Sequence, residues 1–200
     1  MNIRSLLSVL LLSVATAAFA APEIGKPAPA FVLKDTQGKD VSLADYKGKV
    51  VVLEWINHGC PFVKKHYGSG NMQNLQKEYT AKGVVWLSVA SSAPGKEGYM
   101  KADGWNKAIA EKKSAATAVL LDPDGVAGRA YGAKTTPHMF VIDTEGRLVY
   151  KGAIDDRPSA DPADVPGAKN YVRQALDSVL AGKPVATPST PPYGCGVKYK

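Results

Sequence analysis

Residues 48–61 read Gly-Lys-Val-Val-Val-Leu-Glu-Trp-Ile-Asn-His-Gly-Cys-Pro and carry the strongest structural signal in the chain. The run up to Ile56 is almost continuously apolar and rich in β-branched residues, which is typical of a central strand buried on both faces. Proline is favoured in the first turn of a helix, so a helix is expected to begin at Pro61. Cys60 is therefore predicted to lie where a buried strand turns into a helix.

Apolar runs and turn residues predict further elements on both sides of this unit. Strands are expected at residues 31–35, 41–43, 83–90, 119–122, 139–143 and 147–152, and helices at residues 61–79 with a break near Asn71, 104–113, 126–131 and 168–180. From the strand at residues 48–56 onward the order is β-α-β-α-β-α-β-β-α. This order implies an α/β fold with a central mixed sheet that is flanked by helices on both faces.

The first 20 residues predict export. Arg4 precedes an apolar stretch from Leu6 to Phe19, which ends in Ala-Phe-Ala at residues 18–20, and this is the layout of a cleaved signal peptide. The apolar run is shorter than the ~20 residues that a membrane-spanning helix needs. We therefore expect a periplasmic or secreted protein that begins at Ala21, with no stable membrane insertion after cleavage.

The remaining chain is predicted to hold one domain, residues 21–182, and a Pro-rich tail, residues 183–200. With 45% hydrophobic and 22% charged residues, the composition is that of a globular protein. The net charge is +7, but the lysines are scattered and no basic run of five occurs. A solvated surface is therefore favoured over a nucleic-acid interface.

Cys60 is the first candidate for chemistry. A helix N-terminus lowers the pKa of a cysteine because its unpaired amides and dipole favour the thiolate. Lys64 and Lys65, one turn later, could add positive potential or point into solvent. The alternative for Cys60 is a buried, inert cysteine.

Residues 51–63 resemble the active-site segment of thioredoxins and related redoxins, in which a hydrophobic strand ends in a Cys-x-x-Cys turn. Thr136-Pro137 is similar to the cis-proline loop of that family, and residues 152–156 resemble the redoxin segment that follows the last hairpin. The resemblance spans residues 25–180 and extends to the alkyl hydroperoxide reductase and thiol-specific antioxidant relatives. It implies a thioredoxin-like fold, with Cys60 as the attacking thiol and Pro137 as a cis-proline packed against it. From the residues alone, Pro137 could equally be a trans turn residue.

Glu54 lies six residues before Cys60, where the resemblance implies a buried acidic residue that assists proton transfer. A carboxylate on a buried strand would have a raised pKa and could act as a general base. A solvent-exposed Glu54 at a sheet edge is the alternative.

Substrate-binding residues are expected on two loops, with Asn57, His58 and Pro61 on the first and Thr136 and His138 on the second. Either of these histidines could hold a proton or support the thiolate.

His66 and Cys60, together with those two histidines, make a conceivable metal cluster, but no spacing matches a standard site. We therefore expect neither a metal nor a cofactor.

The chain departs from the redoxin pattern at Val63, which stands where the second cysteine of Cys-x-x-Cys would be. Cys195 is the only other cysteine. It could be a distant resolving cysteine, a structural partner that pins the tail over the domain, or a thiol that pairs between chains. Glycines at positions 194 and 196 permit a close approach of the backbone.

The leading functional hypothesis is an exported thiol-disulfide oxidoreductase in which Cys60 attacks and Cys195 or an external thiol resolves. Its partners would be a disulfide- or thiol-bearing protein, a small thiol, or a peroxide. One alternative is a peroxiredoxin-like peroxidase, although Leu53 and Asn57 replace that family's Pro and Thr, and Pro137 stands in the place of its arginine. The other is a non-enzymatic binding module with a permanent Cys60–Cys195 disulfide.

Overall fold

A computed structural model describes residues 21–200, so the predicted signal peptide lies outside the described residues. The strands are β1 Val32–Asp35, β2 Asp40–Ser42, β3 Val51–Trp55, β4 Val85–Ala90, β5 Ala118–Leu121, β6 Thr135–Thr136, β7 His138–Ile142, β8 Leu148–Gly152 and β9 Cys195–Gly196. The α-helices are α1 Pro61–Gly68, α2 Asn71–Ala81, α3 Ala102–Lys112, α4 Val126–Ala130 and α5 Tyr171–Leu180. None of the helices within residues 21–200 has the length and apolar character needed to cross a membrane.

Seven of these strands form one mixed sheet in the order β2-β1-β5-β4-β3-β7-β8. β3 lies parallel to β4, and β4 parallel to β5, whereas β7 runs antiparallel to β3 on its other side. All five residues of β3 are buried, as expected for a central strand with neighbours on both edges and cover on both faces. Cys60 therefore follows a strand in the middle of the sheet.

The sheet separates two hydrophobic cores. One core contains Cys60 and the buried faces of α1, α2 and α5, together with Trp105 of α3. The other contains the buried residues of α4 and Phe31 from the N-terminal segment. The predicted thioredoxin-like α/β architecture, a mixed sheet with helices on both faces, is confirmed.

The helix after Cys60 is broken near the predicted residue. α1 ends at Gly68 and α2 begins at Asn71, with Gly70 between them at a φ of 77°. This left-handed conformation is readily adopted only by glycine, so the chain can change direction here without strain. The break leaves α1 as a short helix whose N-terminus faces the end of β3.

The C-terminal residues form a strand that the sequence pattern did not predict. Within this tail, β9 pairs antiparallel with β6, and together they make a separate two-stranded sheet. Two-residue strands show no hydrophobic periodicity, which is why neither was visible in the sequence. Their pairing brings the end of the chain against the loop that precedes Pro137.

Candidate active site

The loop between β3 and α1 is held by Asn57. Its side-chain Oδ1 accepts a hydrogen bond from the backbone N–H of Gly59 at 2.8 Å, and its carbonyl accepts one from the N–H of Cys60 at 3.0 Å. Asn57 is buried, and these two hydrogen bonds stabilise the turn. Pro61 is exposed at the first position of α1. The turn thereby fixes Cys60 as the residue that caps the helix.

The thiol of Cys60 faces the cis-proline loop. The peptide bond between Thr136 and Pro137 is cis, as the resemblance implied. Cys60 Sγ donates a hydrogen bond to the carbonyl oxygen of Thr136 at 3.0 Å, and the Cys60 side chain has no exposed surface. Two predicted site segments that are 76 residues apart in sequence are therefore in direct contact.

Cys195 completes this cluster from the tail. It lies opposite Thr136 in the β6–β9 pair, and both cysteines are free thiols. The two thiols are close enough to shift each other's pKa, lowering that of Cys60 and raising that of Cys195. Cys195 is half-buried, so it is the more exposed of the two residues.

The surroundings of Cys60 favour its thiolate. Burial alone would raise its pKa, but hydrogen bonds from the Cys195 thiol, the backbone amides of Val63 and Cys195, and the Thr136 side chain outweigh this effect. The pKa of Cys60 therefore lies below its ordinary value. Burial raises the pKa of Cys195 to about 12, and its hydrogen bond to Cys60 adds to the rise. The two thiols are thus differentiated, with Cys60 as the more acidic one.

Glu54 is fully buried on β3, and four side chains donate hydrogen bonds to its carboxylate. The donors are Tyr67 (3.1 Å), Gln76 (3.2 Å), Trp86 (2.8 Å) and Ser88 (3.1 Å). Burial raises the pKa of Glu54, although these hydrogen bonds oppose the rise. The buried alternative is correct, and the exposed edge position is wrong for this residue.

His138 is buried at the start of β7. Side chains alternate across a strand, and His138 points with Phe140 into the core on the opposite side of the sheet from Cys60. Its ring lies 4.4 Å from that of Phe140, and its Nδ1 accepts the N–H of Lys134 at 3.2 Å. The strand register, which the sequence did not reveal, therefore places the His138 ring away from the Cys60 thiol.

His58 does lie on the Cys60 side, half-buried between two aromatic rings. Its ring centroid is 4.9 Å from that of Tyr67 and 5.3 Å from that of Trp105. Burial and the positive charge of Lys112 lower the pKa of His58 to about 4, so the ring is neutral near pH 7. A neutral ring can exchange hydrogen bonds with a substrate but adds no positive charge for the thiolate.

A second buried cluster, which the sequence reasoning missed, lies beside the tail. Lys65 does not serve Cys60: its ammonium donates to the Arg157 carbonyl at 2.7 Å and lies 3.8 Å from the Asp155 carboxylate. Tyr193 of the tail donates its hydroxyl hydrogen to Asp155 and lies 3.2 Å from His66 Nε2. The only sequence signal for this cluster was an aromatic residue two positions before Cys195.

Within residues 21–200, no group of three or more His, Cys, Asp or Glu side chains is arranged to hold a metal ion. His66 is instead occupied by hydrogen bonds, since Asn71 Nδ2 lies 2.9 Å from its Nδ1.

The comparisons with known proteins agree with this geometry. Residues 24–151 match the model of the AhpC/TSA family. The chain belongs to the AhpC/TSA family. Among curated proteins, this AhpC/TSA protein is similar to the thiol-disulfide oxidoreductase ResA of Bacillus subtilis (strain 168). The two are 35% identical over 127 residues, which cover 62% of this chain and 64% of the relative.

Solved structures extend the similarity of this AhpC/TSA protein to most of the chain. An uncharacterised conserved protein from Geobacillus kaustophilus matches with a TM-score of 0.76 and 29% identity, over 89% of this chain and 93% of that one. A thiol:disulfide interchange protein from Bacteroides sp. matches with a TM-score of 0.54 and 26% identity, over 73% and 88% of the two chains. The thioredoxin-like fold is thus shared with proteins of disulfide chemistry.

Proposed function

We propose that this protein is an exported thiol-disulfide oxidoreductase in which Cys60 attacks and Cys195 resolves. The observation that carries the proposal is that two free cysteines 135 positions apart meet at Thr136, whose carbonyl accepts the Cys60 thiol and which pairs with Cys195 across the β6–β9 strands. The similarity to ResA supports the reaction class. Because Val63 replaces the second cysteine of the motif, the tail supplies the second thiol.

In the first step, the Cys60 thiolate attacks one sulfur of a substrate disulfide. The S–S bond of the substrate breaks, a mixed disulfide forms on Cys60, and the other substrate sulfur leaves as a thiolate that takes a proton from water. The lowered pKa of Cys60 supplies the attacking anion.

In the second step, Cys195 loses its proton to solvent and attacks the sulfur of Cys60. The Cys60–Cys195 bond forms, and the second substrate sulfur leaves and is protonated. One substrate disulfide is thus reduced to two thiols while two protein thiols are oxidised to one disulfide, which an external dithiol then reduces. The charge and hydrogen bond of Cys60 contribute to the raised pKa of Cys195. Once Cys60 is in the mixed disulfide, its sulfur no longer carries a thiolate charge. Cys195 therefore ionises more easily at the step in which it attacks.

The test is thiol-labelling mass spectrometry of the folded protein across a graded dithiothreitol series. We expect both cysteines to become protected together in one two-electron transition that reverses without unfolding. In an assay of a disulfide-bonded peptide, Cys60→Ser should be inactive. The matched Cys195→Ser variant should form a mixed disulfide with the peptide that accumulates instead of resolving.

Other outcomes would point to other functions. A Cys60–Cys195 bond that resists reduction until the protein unfolds would replace the proposal with a structural disulfide in a binding module. Oxidation of Cys60 by hydrogen peroxide, at a rate well above that of free cysteine and with no reaction toward the peptide, would indicate a peroxidase. Two thiols that never pair would overturn the role of Cys195.

We also propose export by a signal peptide at residues 1–20, followed by one domain at residues 21–182 and the tail at residues 183–200. The basic start and apolar run described above support this arrangement. Mass spectrometry of the protein purified from a bacterial periplasm should show an N-terminus at Ala21. A protein that keeps Met1 and stays in the cytoplasm would contradict it.

A further inference from the structure

We propose that Tyr193 is a positioning residue whose hydroxyl, seated in the buried Asp155 and His66 cluster, holds the tail closed over Cys60 and keeps Cys195 in place to resolve. The resolving part of this inference rests on the proposed function. The covering part does not, because it concerns only access to the Cys60 thiol.

The hydroxyl of Tyr193 belongs to a chain of directed hydrogen bonds. An ionised carboxylate can only accept, so Tyr193 donates to Asp155, and His66 Nε2–H donates to Tyr193 at 3.2 Å. Asn71 then donates to His66 Nδ1 at 2.9 Å. Burial lowers the pKa of His66 to about 4, which keeps the neutral ring that this chain requires. The Tyr193 hydroxyl, the one polar group of this side chain, thus both donates and accepts a hydrogen bond.

The groups that receive Tyr193 are themselves fixed within the domain. Asp155 and His66 are both buried, with 2% and 0% of their surface exposed. Asp155 also accepts the backbone N–H of Arg157 at 2.9 Å. Lys65 lies 5.6 Å from the centre of the Tyr193 ring, and Phe62 packs against it at 5.7 Å. The domain thus forms the binding site for the Tyr193 side chain, and the tail supplies Tyr193.

Cys195 is two residues after Tyr193 and immediately follows Gly194. A side chain at Gly194 would collide with the carbonyl of Thr136, so the backbone passes in direct contact with the cis-proline loop. Cys60 beneath it has no exposed surface. A substrate can therefore reach Cys60 only when the tail moves, and Tyr193 is the nearest residue before Cys195 whose side chain is hydrogen-bonded to the domain.

The test is the Tyr193→Phe variant of the full chain, which removes one hydroxyl and keeps the ring. The matched control is Tyr131→Phe, which loses a 2.8 Å hydrogen bond to Pro29 on the other face of the sheet. Losing a buried hydrogen bond should shift the open fraction of the tail by about 5-fold to 30-fold. We expect Tyr193→Phe to speed alkylation of reduced Cys60 by that factor, and Tyr131→Phe to leave it unchanged.

Two further readouts distinguish positioning from a general loss of stability. Ultraviolet titration of the Cys60 thiolate should show a higher pKa in Tyr193→Phe, because Cys195 spends less time beside the Cys60 sulfur and lowers its pKa less. The mixed disulfide with a model peptide should form faster and resolve more slowly than in the wild type. Equal alkylation rates and pKa values in wild type and Tyr193→Phe would overturn the proposal.

These outcomes separate the inference from the function beneath it. Suppose that Cys60 is alkylated faster in Tyr193→Phe but that even the wild type shows no disulfide turnover. This result would contradict the proposed oxidoreductase function and still support the role of Tyr193 in covering Cys60. Normal disulfide turnover in the wild type, with unchanged alkylation of Cys60 in Tyr193→Phe, would contradict only the role of Tyr193.

Discussion

Cys195 lies directly opposite Thr136 in an antiparallel strand pair, so the last segment of the chain occupies the edge beside the cis-proline. The carbonyl of Thr136 also accepts a hydrogen bond from the thiol of Cys60. Both cysteines therefore lie next to the same residue of the cis-proline loop. Backbone pairing fixes the register, and a shift by one residue would turn Cys195 to the other side of the strand. Main-chain pairing therefore sets which side of the strand Cys195 faces.

The acidity of Cys60 should depend on Cys195. Cys195→Ala removes a hydrogen-bond donor to the Cys60 sulfur, so the pKa of Cys60 should rise, as measured by the ultraviolet absorbance of its thiolate against pH. Cys195→Ser keeps a hydroxyl donor and should raise this pKa less. Identical titrations of wild type and Cys195→Ala would show that the two side chains do not interact.

Glu54 should make folding stability fall with rising pH. Burial raises its pKa in the folded state, so the folded protein binds this proton more tightly than the unfolded chain does. Its contribution is fully present below the unfolded pKa near 4.5 and is lost as pH rises toward the folded pKa. Denaturant unfolding should therefore show that Glu54→Gln gains stability relative to the wild type above pH 4.5.

Glu78 provides the control with the opposite sign. Hydrogen bonds from Lys82 and Arg173 lower its pKa, so its contribution is present above its unfolded pKa and is lost as pH falls through the folded value. Glu78→Gln should accordingly lose stability relative to the wild type as pH rises. Parallel curves for the Glu54 and Glu78 variants would contradict the assignment of Glu54.

Lys65 and Lys64 should differ sharply although they are adjacent. Lys65→Met leaves the buried Asp155 carboxylate without its cation and should lower the free energy of unfolding by about 3–5 kcal/mol. Lys64 is exposed, so Lys64→Met should change it by no more than about 0.5 kcal/mol. Chemical denaturation of both variants measures the difference, and equal losses would argue against a buried ion pair at Lys65.

The position of Tyr199, near the end of the tail, should depend on the absence of a side chain at Gly128. A Cβ there would collide with the hydroxyl of Tyr199, which donates to the Ala133 carbonyl at 2.8 Å. Gly128→Ala should displace Tyr199, at a packing cost of about 1–3 kcal/mol, and accelerate trypsin cleavage after Lys198. Gly68→Ala is the control, because its Cβ would meet no atom within 4 Å. Unchanged cleavage in Gly128→Ala would show that Tyr199 does not hold the tail.

The local pattern of the sequence was sufficient for much of the fold. The buried strand before Cys60, the helix starting at Pro61 and the break at Gly70 follow from apolar runs, proline and glycine, whose effects act within a few residues. The two small strands β6 and β9 do not, because two residues carry no period. Their pairing depends on segments about 60 residues apart meeting in space.

The sequence by itself determined that a cysteine caps a helix at the end of a central strand, because strand and helix signals are local and additive. Only the tertiary structure decided which side chains join it. Strand register turned His138 away to the opposite core, packing buried Glu54 beneath four donors, and the folded tail brought Cys195 to Thr136. These outcomes depend on contacts between distant segments, and a side chain's neighbours there are set by the register and packing of the whole domain.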